Sequence, residues 1–199
     1  MSDIVRVGQD VPDFEMETFD PKKGDFATVS LKELKKARKW TVLFFYPADY
    51  TFVCPTELAD LATQSEALTK AGAEVISVST DNKFVHLAWQ REEKLLSNVK
   101  YQMASDATGR VSRLFGVFNE ENGLDYRGTF IISPDGKLVA SEVNFYNVGR
   151  NAAELLRKVK ANVYLSSHPE EACPANWSEG AKTLKPGAKL VGKVADALS

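Results

Sequence analysis

Trp40-Thr-Val-Leu-Phe-Phe-Tyr46 is a continuous apolar, β-prone run closed by Pro47, and from Cys54-Pro-Thr-Glu57 onward the rhythm changes. A strand without polar alternation is one buried on both faces of a sheet. After Pro55, residues Leu58, Leu61, Ala62, Ser65 and Leu68 recur at helical spacing until Gly72 stops them. The pairing then repeats: Glu74 to Ser79 reads as a second buried strand and Lys83 to Leu96 as a second amphipathic helix. Gly109 to Phe115 reads as a shorter helix. Gly128-Thr-Phe-Ile-Ile-Ser133, Pro134-Asp-Gly136 and Lys137-Leu-Val-Ala-Ser141 read as a hairpin with a turn between its strands. Asn151 to Tyr164 is the last patterned helix, with Ala152, Leu155, Leu156, Val159 and Val163 on its apolar side. Strands alternating with helices, then a hairpin and a helix, predict an α/β layer protein on a mixed sheet.

From about Ser166 the pattern dissolves into a tail containing Pro169, Pro174, Gly180, Pro186, Gly187 and Gly192. The organisation expected is one domain over residues 1–165 and an extended C-terminal arm over residues 166–199. The 199 residues, 44% hydrophobic and 26% charged, suit one globular domain with a full core. Lys+Arg of 25 against Asp+Glu of 27 gives a net charge of -2. Binding driven by nucleic-acid phosphates or by an anionic membrane surface lacks the basic excess it needs. The opening Met1-Ser-Asp-Ile-Val-Arg6 carries charges where a secretory peptide needs an apolar core. The longest apolar stretch, Trp40 to Ala48, is too short to span a bilayer. A cytoplasmic location is expected, with no membrane and no nucleic acid among the partners.

Only two cysteines occur, Cys54 and Cys173, each followed by proline. In a reducing compartment such a pair is seldom a structural bridge. No Cys or His spacing resembles a metal-ligand pair, since His86 and His168 are far from both cysteines in sequence. Cys54 stands immediately before Pro55, a favoured first helical residue. A thiol there faces unpaired backbone N–H groups and the positive end of a helix dipole, both of which favour thiolate. Thr51 lies three residues earlier, so the spacing is that of a C-x-x-C redox motif with a hydroxyl replacing the first sulfur. A second thiol must come from elsewhere, and Cys173 is the only candidate. The competing reading of Cys54 is a small buried hydrophobe; the helix start, the nearby hydroxyl and the second Cys-Pro argue against it.

Pro47-Ala-Asp-Tyr-Thr51-Phe-Val-Cys54, continued by Pro-Thr-Glu57, resembles the peroxiredoxin signature of Pro, Thr and Cys at fixed offsets. Further matches run in order along the chain: Ser77-Val-Ser-Thr-Asp81, His86-Leu-Ala-Trp89, Arg127-Gly-Thr-Phe-Ile-Ile132, Val148-Gly-Arg150 and Glu171-Ala-Cys-Pro-Ala-Asn-Trp177. The chain resembles the typical two-cysteine peroxiredoxins, of the bacterial alkyl hydroperoxide reductase type. That resemblance implies a thioredoxin-like fold: a central mixed β-sheet flanked by helices, plus the extended C-terminal arm.

It also implies a thiol peroxidase acting on hydrogen peroxide and organic hydroperoxides, in antioxidant defence. Cys54 matches the peroxidatic cysteine and Cys173 the resolving cysteine, supplied by the partner of a homodimer through intersubunit disulfides. Arg127 matches the active-site arginine, Thr51 the hydroxyl that holds the peroxide, and Pro47 the shield of the sulfur. Glu57 and Arg150 match a network orienting Arg127; without the resemblance they would read as surface salt bridges. The electron donor is expected to be thioredoxin or a flavoprotein disulfide reductase, and the assembly a decamer of five dimers. Phe52, Val53 and Val85 fit a dimer–dimer contact or ordinary packing equally well. No metal, flavin or nicotinamide motif appears, so no cofactor is expected. His86 and Trp89 read as packing residues on one helix face.

Two elements of over-oxidation-sensitive members are missing: the Gly-Gly-Leu-Gly insertion, between Trp89 and Tyr101, and the Tyr-Phe pair, near Ser199. Resistance to inactivation by peroxide is expected. A thioredoxin-like disulfide oxidoreductase is disfavoured by Thr51, and a holdase using the same disulfide as a signal is the non-enzymatic alternative.

Overall fold

A computed structural model describes residues 4–198; Met1 to Asp3, part of the opening read above for a secretory signal, and Ser199 lie outside the described residues. In chain order the elements are β1 (Glu15–Asp20), β2 (Asp25–Ser30), α1 (Leu31–Lys36), β3 (Trp40–Phe45), α2 (Cys54–Lys70), β4 (Ala73–Ser79) and α3 (Lys83–Glu92). There follow β5 (Gln102–Ser105), α4 (Arg110–Leu114), β6 (Arg127–Ile132), β7 (Leu138–Asn144), α5 (Ala152–Ser167) and α6 (Val194–Leu198). The strands make one mixed sheet in the order β2-β1-β5-β4-β3-β6-β7. β3 pairs in parallel with β4 and β4 with β5, while β6 runs antiparallel to β3 and β7 antiparallel to β6.

The apolar run Trp40 to Tyr46 forms β3, an inner strand between β4 and β6. Every residue of β3 and of β6 is buried, as expected for strands covered on both faces. Phe45, Phe115 and Phe130 meet around them, with ring centroids 4.7–5.6 Å apart, in the tilted and edge-on arrangements aromatic rings favour. The register pairs Phe44 with Thr129. The C-terminal end of β3 and the start of β6 therefore share one edge of the sheet, where the chain leaves for Cys54 and where Arg127 begins its strand. Gly128 is required beside it: a Cβ there would lie 2.6 Å from Val117 and 2.8 Å from Phe130.

Three strands have no counterpart in the sequence reading: β1 and β2, an antiparallel pair, and the four-residue β5. The second amphipathic helix also ends sooner than Leu96. Glu93 is extended (φ -83, ψ 112), and its carboxylate accepts the Leu95 N–H at 3.1 Å to cap a 3₁₀ turn over Lys94–Asn98. Leu96 is buried from that turn, so its apolar spacing continued a pattern the backbone had left.

The chain clusters into two compact units that divide between Ala152 and Ala153, which groups α5, all but its first residue, with the arm. Within the second unit the Cys173 segment is tied down locally. Ala172 and Leu184 exchange backbone hydrogen bonds of 2.8 and 2.9 Å, and Glu171 accepts hydroxyl bonds from Tyr164 and Thr183. Trp177 is buried beside the Tyr164 ring and donates from Nε1 to the Ala181 carbonyl. No helix among the described residues is long and apolar enough to cross a membrane.

Candidate active site

α2 begins at Cys54 itself, with Val53 as its cap and Pro55 in its second position. Cys54 is thus the first helical residue rather than the one before it. Val53 is already in the helical region (φ -83, ψ -35), and its carbonyl accepts the amides of Thr56 and Glu57 at 3.1 and 3.2 Å. Those amides were expected to face the sulfur. Its charged partner is instead a side chain: Arg127 Nη1 donates to Cys54 Sγ across 3.4 Å. Cys54 is fully buried, so this guanidinium contact is made away from water.

Arg127 is held from both ends. Its Nε donates to the Tyr146 carbonyl at 2.7 Å, and Nη1 also donates to Glu57 Oε2 at 2.6 Å. Glu57 lies one turn along α2 from Cys54, on the same face. It binds Arg150 as well: the backbone N and Nε reach Oε1 at 2.8 Å each, and Nη2 reaches Oε2 at 3.0 Å. Arg150 in turn donates from Nη1 to the Gly128 carbonyl and Thr129 Oγ1, and its guanidinium lies 3.4 Å over the Phe44 ring. The side chains of Arg127, Arg150 and Glu57 are 4%, 3% and 1% exposed. One carboxylate thus orients two buried guanidiniums, and the surface-salt-bridge alternative for Glu57 and Arg150 does not hold. Burial alone would raise the Glu57 carboxyl; the bonds and charge of Arg150, joined by the charge of Arg127, outweigh it and hold the group below the usual range. Burial lowers the Arg150 guanidinium, with Glu57 offsetting part of the effect.

Pro47 and Thr51 lie in the loop joining β3 to Cys54. Pro47 is buried directly after Tyr46. Thr51 is half-buried and donates its hydroxyl proton to the Ala48 carbonyl at 2.8 Å, which leaves its oxygen lone pairs as acceptors. Phe52 is 92% exposed, while Val53 and Val85 are half-buried. Tyr50 adopts a left-handed backbone (φ 54) and bonds Glu92 at 2.8 Å on the exposed rim. Cys173 lies in the second unit, half-buried. Burial and then the Glu171 carboxylate push its thiol up, with Arg157 opposing.

The sequence reading missed what braces this loop. Asp49 and His86, both wholly buried, meet at 2.7 Å through Asp49 Oδ2 and His86 Nδ1. Tyr46 donates to Asp49 Oδ1 at 2.6 Å, and the Asp49 amide donates to Asp81 Oδ2 at 2.8 Å. His86 Nε2 faces the Ala104 carbonyl at 3.1 Å. Both ring nitrogens therefore face oxygens, and the Asp49–His86 contact shares one proton. Burial raises the Asp49 carboxyl against the opposing pull of His86. His86 does more than pack. A buried acid and a buried histidine 37 residues apart leave no local pattern in sequence, and neither does a backbone acceptor such as Tyr146. No cluster of three or more His, Cys, Asp or Glu side chains suited to a metal occurs among the described residues.

Comparison with known proteins agrees with this geometry. Residues 7–141 match the model of the AhpC/TSA family. Alkyl hydroperoxide reductase C of Staphylococcus aureus is 48% identical over 188 residues, which is 94% of this chain and 98% of that protein. Among solved structures, the reduced 2-Cys peroxiredoxin of Plasmodium vivax superposes with a TM-score of 0.86 at 30% identity, covering 94% of this chain and 98% of that one. Enterococcus faecalis AhpC superposes with a TM-score of 0.79 at 40% identity, covering 84% and 98%. With a thioredoxin-like sheet, a fully buried Cys54 at a helix start and this extent of likeness, the chain belongs to the AhpC/TSA family, among the 2-Cys peroxiredoxins.

Proposed function

We propose that this protein, a thiol peroxidase by family, reduces hydrogen peroxide and organic hydroperoxides through Cys54, with Arg127 as the group that binds and activates the peroxide. The observation that carries this reading is the 3.4 Å contact of Arg127 with the Cys54 sulfur, made by a guanidinium fixed on Glu57 and Tyr146. The Cys54 thiolate attacks one peroxide oxygen, forming an S–O bond as the O–O bond breaks. Sulfur is oxidised to sulfenic acid, and the leaving oxygen takes a proton to become water or an alcohol. A guanidinium presents several donors in a fixed fork, so one can stay on the sulfur while another follows the oxygen whose charge grows. Donors aimed in advance at developing charge cost no reorganisation during the reaction. Thr51 holds the peroxide from its free lone pairs, Pro47 keeps water from the sulfur, and Arg150 with Glu57 fixes Arg127.

The sulfenic acid then condenses with Cys173 of a second protomer, releasing water and leaving an intersubunit disulfide. Cys54, being buried, must first leave its pocket, and the helix start makes that cheap. Pro55 contributes no N–H, no side chain caps the first turn, and Val53 alone closes it. Residues 166–199 act as the arm that delivers Cys173. The disulfide is reopened by thioredoxin or a flavoprotein disulfide reductase, the functional unit is a homodimer assembled further as five dimers, and the setting is cytoplasmic.

The test is a non-reducing gel of reduced protein quenched after one equivalent of hydrogen peroxide, with wild type beside Cys54→Ser and Cys173→Ser. Wild type becomes a covalent dimer and both variants stay monomeric. Persistence of the Cys54 thiol with no dimer overturns the reading in favour of disulfide exchange or client holding.

A further inference from the structure

Asp125 precedes Arg127 by two residues and is completely buried. Its Oδ2 lies 2.8 Å from Ser112 Oγ on α4, and the same Oγ lies 2.9 Å from Asp106 Oδ2. A hydroxyl carries one proton and cannot donate to two carboxylates, so one of the two acids must donate to it. Asp106 is the anion of the pair. Its Oδ2 also accepts the Ser112 amide at 2.7 Å, and its Oδ1 accepts the Arg110 amide at 3.0 Å. Asp125 has no such support, since its Oδ1 is buried without a donor among the described residues. That suits the carbonyl oxygen of a neutral acid and is costly for a carboxylate. The proton order is then Asp125 Oδ2–H to Ser112, and Ser112 Oγ–H to Asp106. Three charged groups face Asp125: Asp106, Asp81 and, on α4, Arg113. Burial pushes its carboxyl up to about 7, with Asp106 and Asp81 adding to the rise and Ser112 and Arg113 opposing it.

This chain of protons ties the backbone that leads into β6 to α4. Asp125 bridges Phe118, the Tyr126 amide bonds the Val117 carbonyl at 2.8 Å, and Arg127 follows directly. We propose that Asp125 is a positioning residue for the peroxidatic site: while neutral it locks the approach to Arg127 onto α4 through Ser112, and its ionisation releases that lock and weakens the grip of Arg127 on the peroxide. With Asp125 ionised, two carboxylates would compete for the one Ser112 proton, beside Asp81, in a place water does not reach. The inference rests on the reading of Arg127 as the peroxide donor.

The experiment measures the second-order rate of Cys54 oxidation by hydrogen peroxide against pH for wild type, Asp125→Asn and Arg127→Gln. Dividing the Asp125→Asn rate by the wild-type rate cancels the ionisation of Cys54 common to both. The ratio should rise about fivefold or more from roughly pH 6 to pH 8.5, as wild type loses its neutral acid and the amide does not. A flat ratio alongside a slow Arg127→Gln overturns the role of Asp125 alone. Wild-type speed in Arg127→Gln overturns the reading of Arg127 and this inference with it. Infrared difference spectroscopy on wild type keeps the question decidable if Asp125→Asn folds poorly. A protonated-carboxyl band that disappears as pH rises through about 7 supports the lock, and absence of that band at about pH 6 refutes it.

Discussion

Glu57→Gln removes the anion that bonds both buried guanidiniums while keeping the shape of the side chain. Four bonds converge on Glu57 from Arg127 and Arg150, at 2.6 to 3.0 Å. Removing one partner of a buried ion pair costs about 3–5 kcal/mol, because the remaining charge is left desolvated and unpaired. The amide oxygen still accepts, so the lower end applies. At roughly 2–4 °C per kcal/mol for a chain of this size, about 3 kcal/mol lowers Tm by about 6–12 °C. The chemistry suffers separately. Arg127 loses the charge that aims it and keeps the Tyr146 carbonyl, with a neutral amide in place of the carboxylate. Forfeiting one charge-assisted bond worth about 1.5–3 kcal/mol in the transition state slows Cys54 oxidation roughly tenfold to a hundredfold.

Thermal unfolding and stopped-flow oxidation of Cys54 by hydrogen peroxide read the two effects. Adding Arg150→Gln should return part of the lost stability, since the stranded charge goes with it, but none of the lost rate. The pH dependence has a definite sign. Glu57 has a folded pKa below its unfolded value, so the stability it contributes is complete above the ordinary carboxylate range near ~4.3 and is lost as pH falls through the folded value. The gap in Tm between wild type and Glu57→Gln should therefore close on acidification and stay constant across neutral pH. A Tm within about 2 °C of wild type, the size of an ordinary surface change, with an unaltered rate would refute the reasoning.

Thr51→Val keeps shape and burial but removes the hydroxyl, so oxidation should slow about tenfold while Tm moves little; equal rates would remove Thr51 from the site. Asp125 has the opposite linkage to Glu57. Its carboxyl titrates at about 7 instead of 3.8, so between those values the folded state keeps a proton the unfolded state has lost. Stability should fall as pH rises, by about 1.4 kcal/mol per unit within that window, and denaturation of Asp125→Asn should lack this slope. Glu171→Gln removes an anion that pushes the Cys173 thiol up, so disulfide formation near neutral pH should quicken, and an unchanged or slower second phase would count against that. The segment from Trp89 to Tyr101 runs through α3, a 3₁₀ turn and a short loop without the insertion of over-oxidation-sensitive relatives. Mass spectrometry during turnover in excess peroxide should find Cys54 largely free of sulfinic acid, and rapid stoichiometric sulfinylation would contradict it.

The parts of the fold legible in sequence were those with enough apolar positions to make an unbroken run or set a period, or with a clear turn beside them. β3, buried on both faces, announces itself as an unbroken apolar run, α2 as a helical stripe, and β6 by the Pro134-Asp-Gly136 turn that follows it. β1 and β2 did not. β2 is an edge strand reading Asp-Phe-Ala-Thr-Val-Ser with one buried residue, and a half-exposed edge carries too few apolar positions to set a period. β5 has four residues, too short for any period. At the site, Pro47, Thr51 and Cys54 were singled out by a signature of fixed offsets, Glu57 by its continuation, and Arg127 and Arg150 by separate stretches that resemble the family. Asp49 with His86, and Asp106 with Ser112 and Asp125, were not. Each pairs residues from different elements, and what matters is a count of protons, a property only the folded arrangement has.

The proposed cycle sets the site two opposed demands, and the order of residues along α2 reconciles them. Arg127 has to be held rigidly against Cys54 for the first chemical step, yet Cys54 has to leave for the second. Unwinding the first turn of α2 breaks three bonds to the Val53 carbonyl, from the Thr56 and Glu57 amides and the Thr56 hydroxyl, at a net cost of about 1 kcal/mol each. Continuing past Glu57 would also pull its carboxylate from two buried guanidiniums, at about 3–5 kcal/mol. Opening therefore stops one turn in, at Glu57. The ion cluster that positions Arg127 also limits how far the helix can unravel, and because Arg127 and Arg150 remain on Glu57 throughout, the pocket is kept intact for the return of Cys54.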